Sequence, residues 1–268
     1  MSEDPAAGTQ PPSSITHAGL AEAARELVAA ADGAGLELRA IGGVAVWERL
    51  SGESRAAYES RRSVPRDIDL LAEPKSSRAV KRLFEPLEFQ PDDRLIAWHG
   101  DRRHRYFRLD GGGQPLFEVD VFIGTPPLCH PIEFSDRLDA AGFTMAPTDL
   151  LLQKLQVHQA TEKDLVDAAY LLADHPLGGA GEETIDAARI AGLTASDWGF
   201  HHTATTNLGH LADGVGELVH EGAHQTVAER VHGLAAAIEQ EPKSRRWRMR
   251  ARVGTKVQWY EDVEELVR

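Results

Sequence analysis

Residues 66–73, Arg66-Asp67-Ile68-Asp69-Leu70-Leu71-Ala72-Glu73 (RDIDLLAE), decide how the rest of the chain is read. The run reads as a short strand. Side chains alternate between the two faces of a strand, so Asp67 and Asp69 share one face while Ile68 and Leu70 turn to the core. Taken alone, such a pair marks a strand end exposed to water. What surrounds it makes it more specific.

Upstream, LELRAIG (36–42) is a strand that the Gly42–Gly43 pair turns into a helix, VAVWERL (44–50), stopped by Ser51–Gly52. Backbone N–H groups at a glycine turn that opens a helix can approach a phosphate with no side chain between. The polar stretch GESRAAYESRRSVP (52–65) ends in proline and reads as a loop. Before all of this, AGLAEAARELVAAAD (18–32) has the spacing of an Ala-rich amphipathic helix, ended by Gly33 and Gly35.

Downstream, SSRAVKRLFEPL (76–87) is a helix, LIAWHG (95–100) and RRHRYFRLD (102–110) read as paired strands around Gly100–Asp101, and Gly111–Gly113 is a turn. PLFEVDVFIG (115–124) is the next strand, with Phe117, Val119 and Val121 on one face and Glu118 and Asp120 on the other. After Pro131 the pattern turns helical. Thr148 is placed to cap DLLLQKLQVHQ and Thr161 to cap EKDLVDAAYLLAD, and from Glu182 onward no convincing strand remains. The expected fold is α+β (α/β): a mixed β-sheet with flanking helices over residues 17–146, then a helical domain over 147–268.

The 268 residues suffice for one large domain or two small ones. No apolar run approaches the roughly 20 residues of a membrane helix. Residues 1–16 are polar and Pro-rich, without the basic start and apolar centre of a signal peptide, and read as a disordered tail. Cys129 is the only cysteine, which excludes an internal disulfide and fits a reducing cytoplasm. The net charge of −13 argues against a surface that coats DNA. Two basic islands interrupt it: Arg102, Arg103, Arg105 and Arg108 around Tyr106 and Phe107, and seven Lys or Arg with no acid from Lys243 to Lys256. They suit a nucleotide site or a local RNA contact. Trp247, Trp259 and Tyr260 accompany the second island, which can equally dock on acidic residues such as Glu261, Asp262, Glu264 and Glu265. His220 and His224 have the spacing of a helical metal pair, but a solvated or packed face is the better reading.

A third carboxylate, Asp120, on a strand next to Asp67 and Asp69 would close an all-oxygen site suited to Mg²⁺. Two such ions roughly 3.5–4 Å apart can activate an attacking hydroxyl and stabilise a leaving pyrophosphate. Asp67 and Asp69 would hold both ions, Asp120 the catalytic one, with Glu118 a weaker candidate. Arg62, ahead of the acidic pair, could grip a triphosphate, or pair with Glu53 or Glu59. Lys163 and Asp167 are four residues apart and Asp164 and Asp167 three apart, so they share a helix face.

Gly42–Gly43, a spacer, Asp67-x-Asp69 and a later Asp120 resemble the signature of the nucleotidyltransferase superfamily with a DNA polymerase β-like core. Arg62–Ser63, Lys154 in LLLQKLQ, and Lys163–Asp164 with Asp167 are similar to the abortive-infection (AbiEii-like) bacterial members. The resemblance covers residues 38–173. It implies Mg²⁺-dependent transfer of a nucleotide from an NTP, with Asp67, Asp69, Asp120 and Lys154 catalytic and Gly42, Gly43, Arg62, Lys163 and Asp164 on the nucleotide. The acceptor could be an RNA or tRNA end, a protein or a small molecule. A toxin role with an antitoxin partner, an antibiotic-type small-molecule enzyme, and a nucleotide-binding module without catalysis are the alternatives.

Overall fold

The computed structural model describes residues 15–139 and 142–263. Most of the expected tail and the acidic pair Glu264 and Glu265 lie outside them. Helix α1 (His17–Gly33), capped by the Thr16 side chain on Gly19 N, leads into β1 (Leu38–Ile41) and α2 (Gly42–Arg49). Then follow α3 (Gly52–Glu59), β2 (Asp67–Ala72), α4 (Ser77–Phe84), β3 (Phe89–Pro91), α5 (Asp93–His99), β4 (Arg103–Leu109) and β5 (Pro115–Ile123). The second half comprises α6 (Pro147–Leu155), α7 (Glu162–Asp174), the two-residue strands β6 (Leu177–Gly178) and β7 (Ile185–Asp186), α8 (Ala187–Ser196), α9 (Trp198–Leu218), α10 (His224–Gln240) and α11 (Arg245–Val253).

Among the described residues the main sheet has five strands in the order β1-β2-β5-β4-β3, and it is mixed, since β2 and β5 run parallel and the other neighbours antiparallel. The alternation seen in the sequence holds: Ile68, Leu70, Val119 and Val121 are fully buried on one face. Phe84 of α4 stacks on Tyr106 there at 3.8 Å, and Tyr106 is the ladder partner of Val119. A single buried core runs through both halves of the chain, from Leu20 in α1 to Ile238 in α10.

Four local expectations are corrected. Residues 52–59 are not loop but α3. Ser51 caps it, its backbone N–H and the Ser54 hydroxyl both donate to Asp174 at 2.6 Å, and Tyr58 is buried beneath it. Residues 95–99 are not strand but α5. Asp92 caps it through Leu95 N at 2.9 Å, and the antiparallel partner of β4 is the earlier Phe89–Pro91. Thr148 does not cap α6: Ala146 does, with Pro147 in the first turn, while the Thr148 hydroxyl donates to Thr184 O and accepts from Asp186 N. That contact ties α6 to β7, which pairs with β6 and falls in the stretch from Glu182 expected to be without strands. Thr161 does cap α7, in a reciprocal box with Asp164.

His220 and His224 do not share a helix. A 3-10 turn separates them, His220 stacking on Tyr170 and His224 bonding Val219 O. The second basic island forms α11, where Trp247 donates to Thr194 O and Arg250 lies over Trp198. The chain then returns, stacking Tyr260 on His158 at 3.7 Å and donating from Glu261 N to Cys129 O.

Candidate active site

Parallel pairing in register sets the acidic side of the sheet. Asp67 of β2 lies opposite Glu118 of β5, and Asp69 opposite Asp120. All four therefore project from the face that Ile68, Leu70 and Val119 do not occupy. Asp67 is exposed, Asp69 half-buried and Asp120 buried. The expected convergence of the three aspartates on one side of the sheet is present.

Gly42 and Gly43 come next to them for a conformational reason. Gly42 has φ +67°, a left-handed backbone that favours glycine, and a Cβ there would overlap the Asp69 carboxylate. A Cβ on Gly43 would stand 3.2 Å from the Arg62 guanidinium. The start of α2 thus abuts Asp69 and Arg62 together.

Arg62 also belongs to an ion-pair hub. Asp167 of α7, fully buried, accepts from Tyr58 Oη at 2.7 Å and from Arg62 Nε at 3.1 Å, and its other oxygen pairs with Lys154 Nζ at 2.8 Å. Lys154 also donates to Asp164 at 3.2 Å. Burial opposes the Lys154 charge, but Asp167 and Asp164 more than offset it and raise its pKa. Burial likewise raises the Tyr58 hydroxyl, reinforced by Asp167. Burial works against the Asp164 charge too, yet Lys154 and Thr161 leave its pKa lowered. Arg62 therefore pairs with Asp167, and Glu59 instead receives the Trp47 indole at 2.8 Å. Lys163 is exposed on the first turn of α7 and makes no ion pair with this hub.

Two residues of the first basic island complete the arrangement, and sequence reasoning did not link them to it. Arg105 is the ladder partner of Asp120, and Arg103 lies two residues before it on the same face. Arg103 Nε and Nη2 donate to the two Asp120 oxygens at 2.9 and 2.7 Å, and Arg105 Nε and Nη2 at 3.0 and 3.2 Å. The Arg-x-Arg alternation on a strand was the available signal. Asp120 is thereby turned onto guanidinium groups, and among the described residues no three His, Cys, Asp or Glu side chains are assembled to hold a metal ion. The expected three-carboxylate cradle is a shared face in this structure, not a closed cage.

Asp69 has no such partner. Burial, then the charges of Asp67 and Asp120, push its carboxyl up to about 8, and Lys154 and Arg103 counter this only in part. A half-buried carboxylate short of positive charge, beside an exposed one, is a donor set that fits a hard divalent cation. Among the described residues no helix is long and apolar enough to cross a membrane.

No family model and no curated protein matches the chain. Among solved structures it is similar to the crystal structure of an antigenic nucleotidyltransferase-like protein from Paracoccidioides brasiliensis, at 14% identity over 84% of this chain and 94% of that one, with a TM-score of 0.42.

Proposed function

We propose that the chain is a nucleotidyltransferase that moves a nucleoside monophosphate from an NTP to an acceptor hydroxyl or phosphate with Mg²⁺. The observation that carries this reading is the seating of the Gly42 backbone against the Asp69 carboxylate, with Asp120 in register beside it. A helix start that a phosphate can approach and an acidic face suited to metal thereby adjoin one another. Asp67 and Asp69 would hold the cation, and Mg²⁺ would supply neutralisation of the triphosphate and activation of the attacking oxygen. Gly42 and Gly43 give phosphate access to the backbone. Arg62, fixed by Asp167 next to Gly43, orients the triphosphate bidentately. Lys154, part-buried and with its protonated form favoured by Asp167 and Asp164, acts on Asp69 through its charge. Asp164 holds Lys154 in place, and Lys163 supplies a mobile point charge at the rim.

The saturation of Asp120 by two arginines favours a second reading, a nucleotide-binding module without catalysis. One experiment separates the two. The chain is incubated with each labelled NTP, Mg²⁺ and a cell extract, and label is sought in RNA, protein and small molecules. A labelled product supports transfer and names the acceptor class. Growth arrest on expression, relieved by a second protein, adds the AbiEii-like toxin role. Nucleotide binding with no labelled product supports the module.

A further inference from the structure

Asp120 is the carboxylate the proposed chemistry needs and the one the free chain already satisfies. A carboxylate offers about four lone-pair directions. The Nε and Nη2 atoms of Arg103 and Arg105 fill them, at 2.7 to 3.2 Å. The Asp120 side chain is only 4% exposed, so the two forks hold it out of water's reach. They also bring more positive charge than Asp120 cancels. The other anions that act on Arg105 are Glu118, at 3.5 Å and partly solvated, and Asp92. Arg103 already acts on Asp69, so the pair stands at the edge of the acidic face.

We propose that Arg103 and Arg105 are triphosphate-binding residues, parked on Asp120 in the free chain and transferred to phosphate oxygens when nucleotide and metal enter together. The proposal rests on the nucleotidyl-transfer reading. A guanidinium fork fits phosphate oxygens as it fits a carboxylate, so the transfer keeps each fork doubly bonded. It also frees the Asp120 oxygens beside Asp69. No covalent bond changes. A cation alone finds Asp120 taken, and a triphosphate alone must draw off both guanidinium groups without a metal to replace them. Metal and nucleotide therefore bind cooperatively, each strengthening the other by the same factor.

The test measures Mn²⁺ binding to the full chain by the loss of the free-ion paramagnetic resonance signal, with and without a non-hydrolysable α,β-methylene triphosphate. The wild-type chain is expected to bind Mn²⁺ at least about 10-fold more tightly with the analogue, within the usual range of such couplings. In Arg105→Gln, with folding checked by circular dichroism, Mn²⁺ alone binds more tightly than in the wild type. The analogue binds at least about 10-fold more weakly, the scale of one lost charge-assisted contact. Arg105→Lys keeps the charge and loses the fork. It shows the same weakening of the analogue in smaller measure, and stands in should Arg105→Gln fail to fold. Wild-type affinities for both ligands in a folded Arg105 variant overturn the transfer and leave the arginines as a fixed brace. Binding of both ligands by the wild type without coupling overturns it as well, while leaving the nucleotidyl-transfer reading standing. A wild-type chain that takes up neither ligand brings down that reading and the transfer together.

Discussion

Asp69 and Asp120 face each other across the parallel ladder of β2 and β5, and only Asp120 is neutralised. Two guanidinium forks hold it, whereas Asp69 sits among negative neighbours with its proton affinity raised. Ladder geometry alone would make the two residues equivalent. Their surroundings separate them into a satisfied carboxylate and one short of positive charge.

Asp67→Asn and Asp69→Asn are expected to remove transfer while leaving the fold intact. Metal stabilisation of a phosphoryl transition state is worth several kcal/mol, so at ~1.36 kcal/mol per tenfold the loss is at least ~100-fold. Neither side chain supports the core, so the thermal midpoint holds or, for Asp69→Asn, rises as a like-charge contact is relieved. Product formation and a thermal melt on the same preparation check both halves.

The raised Asp69 pKa gives stability a pH slope. Between the ordinary carboxylate value of 3.8 and about 8, the folded chain keeps a proton that the unfolded chain has released. Stability from this group therefore falls as pH rises through that window. Asp69→Asn flattens the slope relative to wild type, and saturating Mg²⁺ opposes it. Urea melts from pH 5 to pH 8, with and without Mg²⁺, measure the difference. Equal slopes for wild type and Asp69→Asn would contradict the assignment.

Gly42→Ala is expected to damage the site more than Gly43→Ala. At Gly42 the added methyl meets both a positive φ and the Asp69 carboxylate, and the backbone term alone costs ~1–2 kcal/mol. At Gly43 the backbone is not left-handed, and the new neighbours are the Arg62 guanidinium at 3.2 Å and the Pro65 ring at 3.3 Å, contacts that a shift of a few tenths of an ångström relieves. Denaturant midpoints and metal affinity for the two variants should rank in that order.

Asp167→Ala leaves Arg62 without its carboxylate and Lys154 with Asp164 alone, and breaking such a buried pairing costs ~3–5 kcal/mol. Tyr58→Phe removes one hydrogen bond to a charged group and costs ~1.5–3 kcal/mol. Because the two residues touch, the double variant should cost less than the sum. A urea double-mutant cycle reads the coupling.

The parts legible in the sequence were those where one residue's neighbours are set by chain period. Asp67-x-Asp69 and Glu118-x-Asp120 place themselves on one side of their strands by alternation, and the α7 cap follows from Thr161 and Asp164 three residues apart. Helix α3 was hidden because its anchor, Tyr58, bonds Asp167, 109 residues later. Helix α5 was hidden because the short apolar run Leu95-Ile96-Ala97-Trp98 satisfies either period, and the Asp92 cap decided it. The hold of Arg103 and Arg105 on Asp120 depends on the register between β4 and β5, which no local pattern prints. The role of Asp167 as hub depends in the same way on helix packing, which brings Arg62 and Lys154 to one carboxylate.

The matched pairing of β2 and β5 also makes the acidic face digital in evolution. Inserting or deleting one residue within either strand flips every later side chain to the opposite surface and carries an aspartate into the apolar interior. Loops, helices and the whole second half can drift in length without altering how Asp69 meets Asp120. Lineages that keep this acidic face should therefore hold constant the count of residues along these two strands.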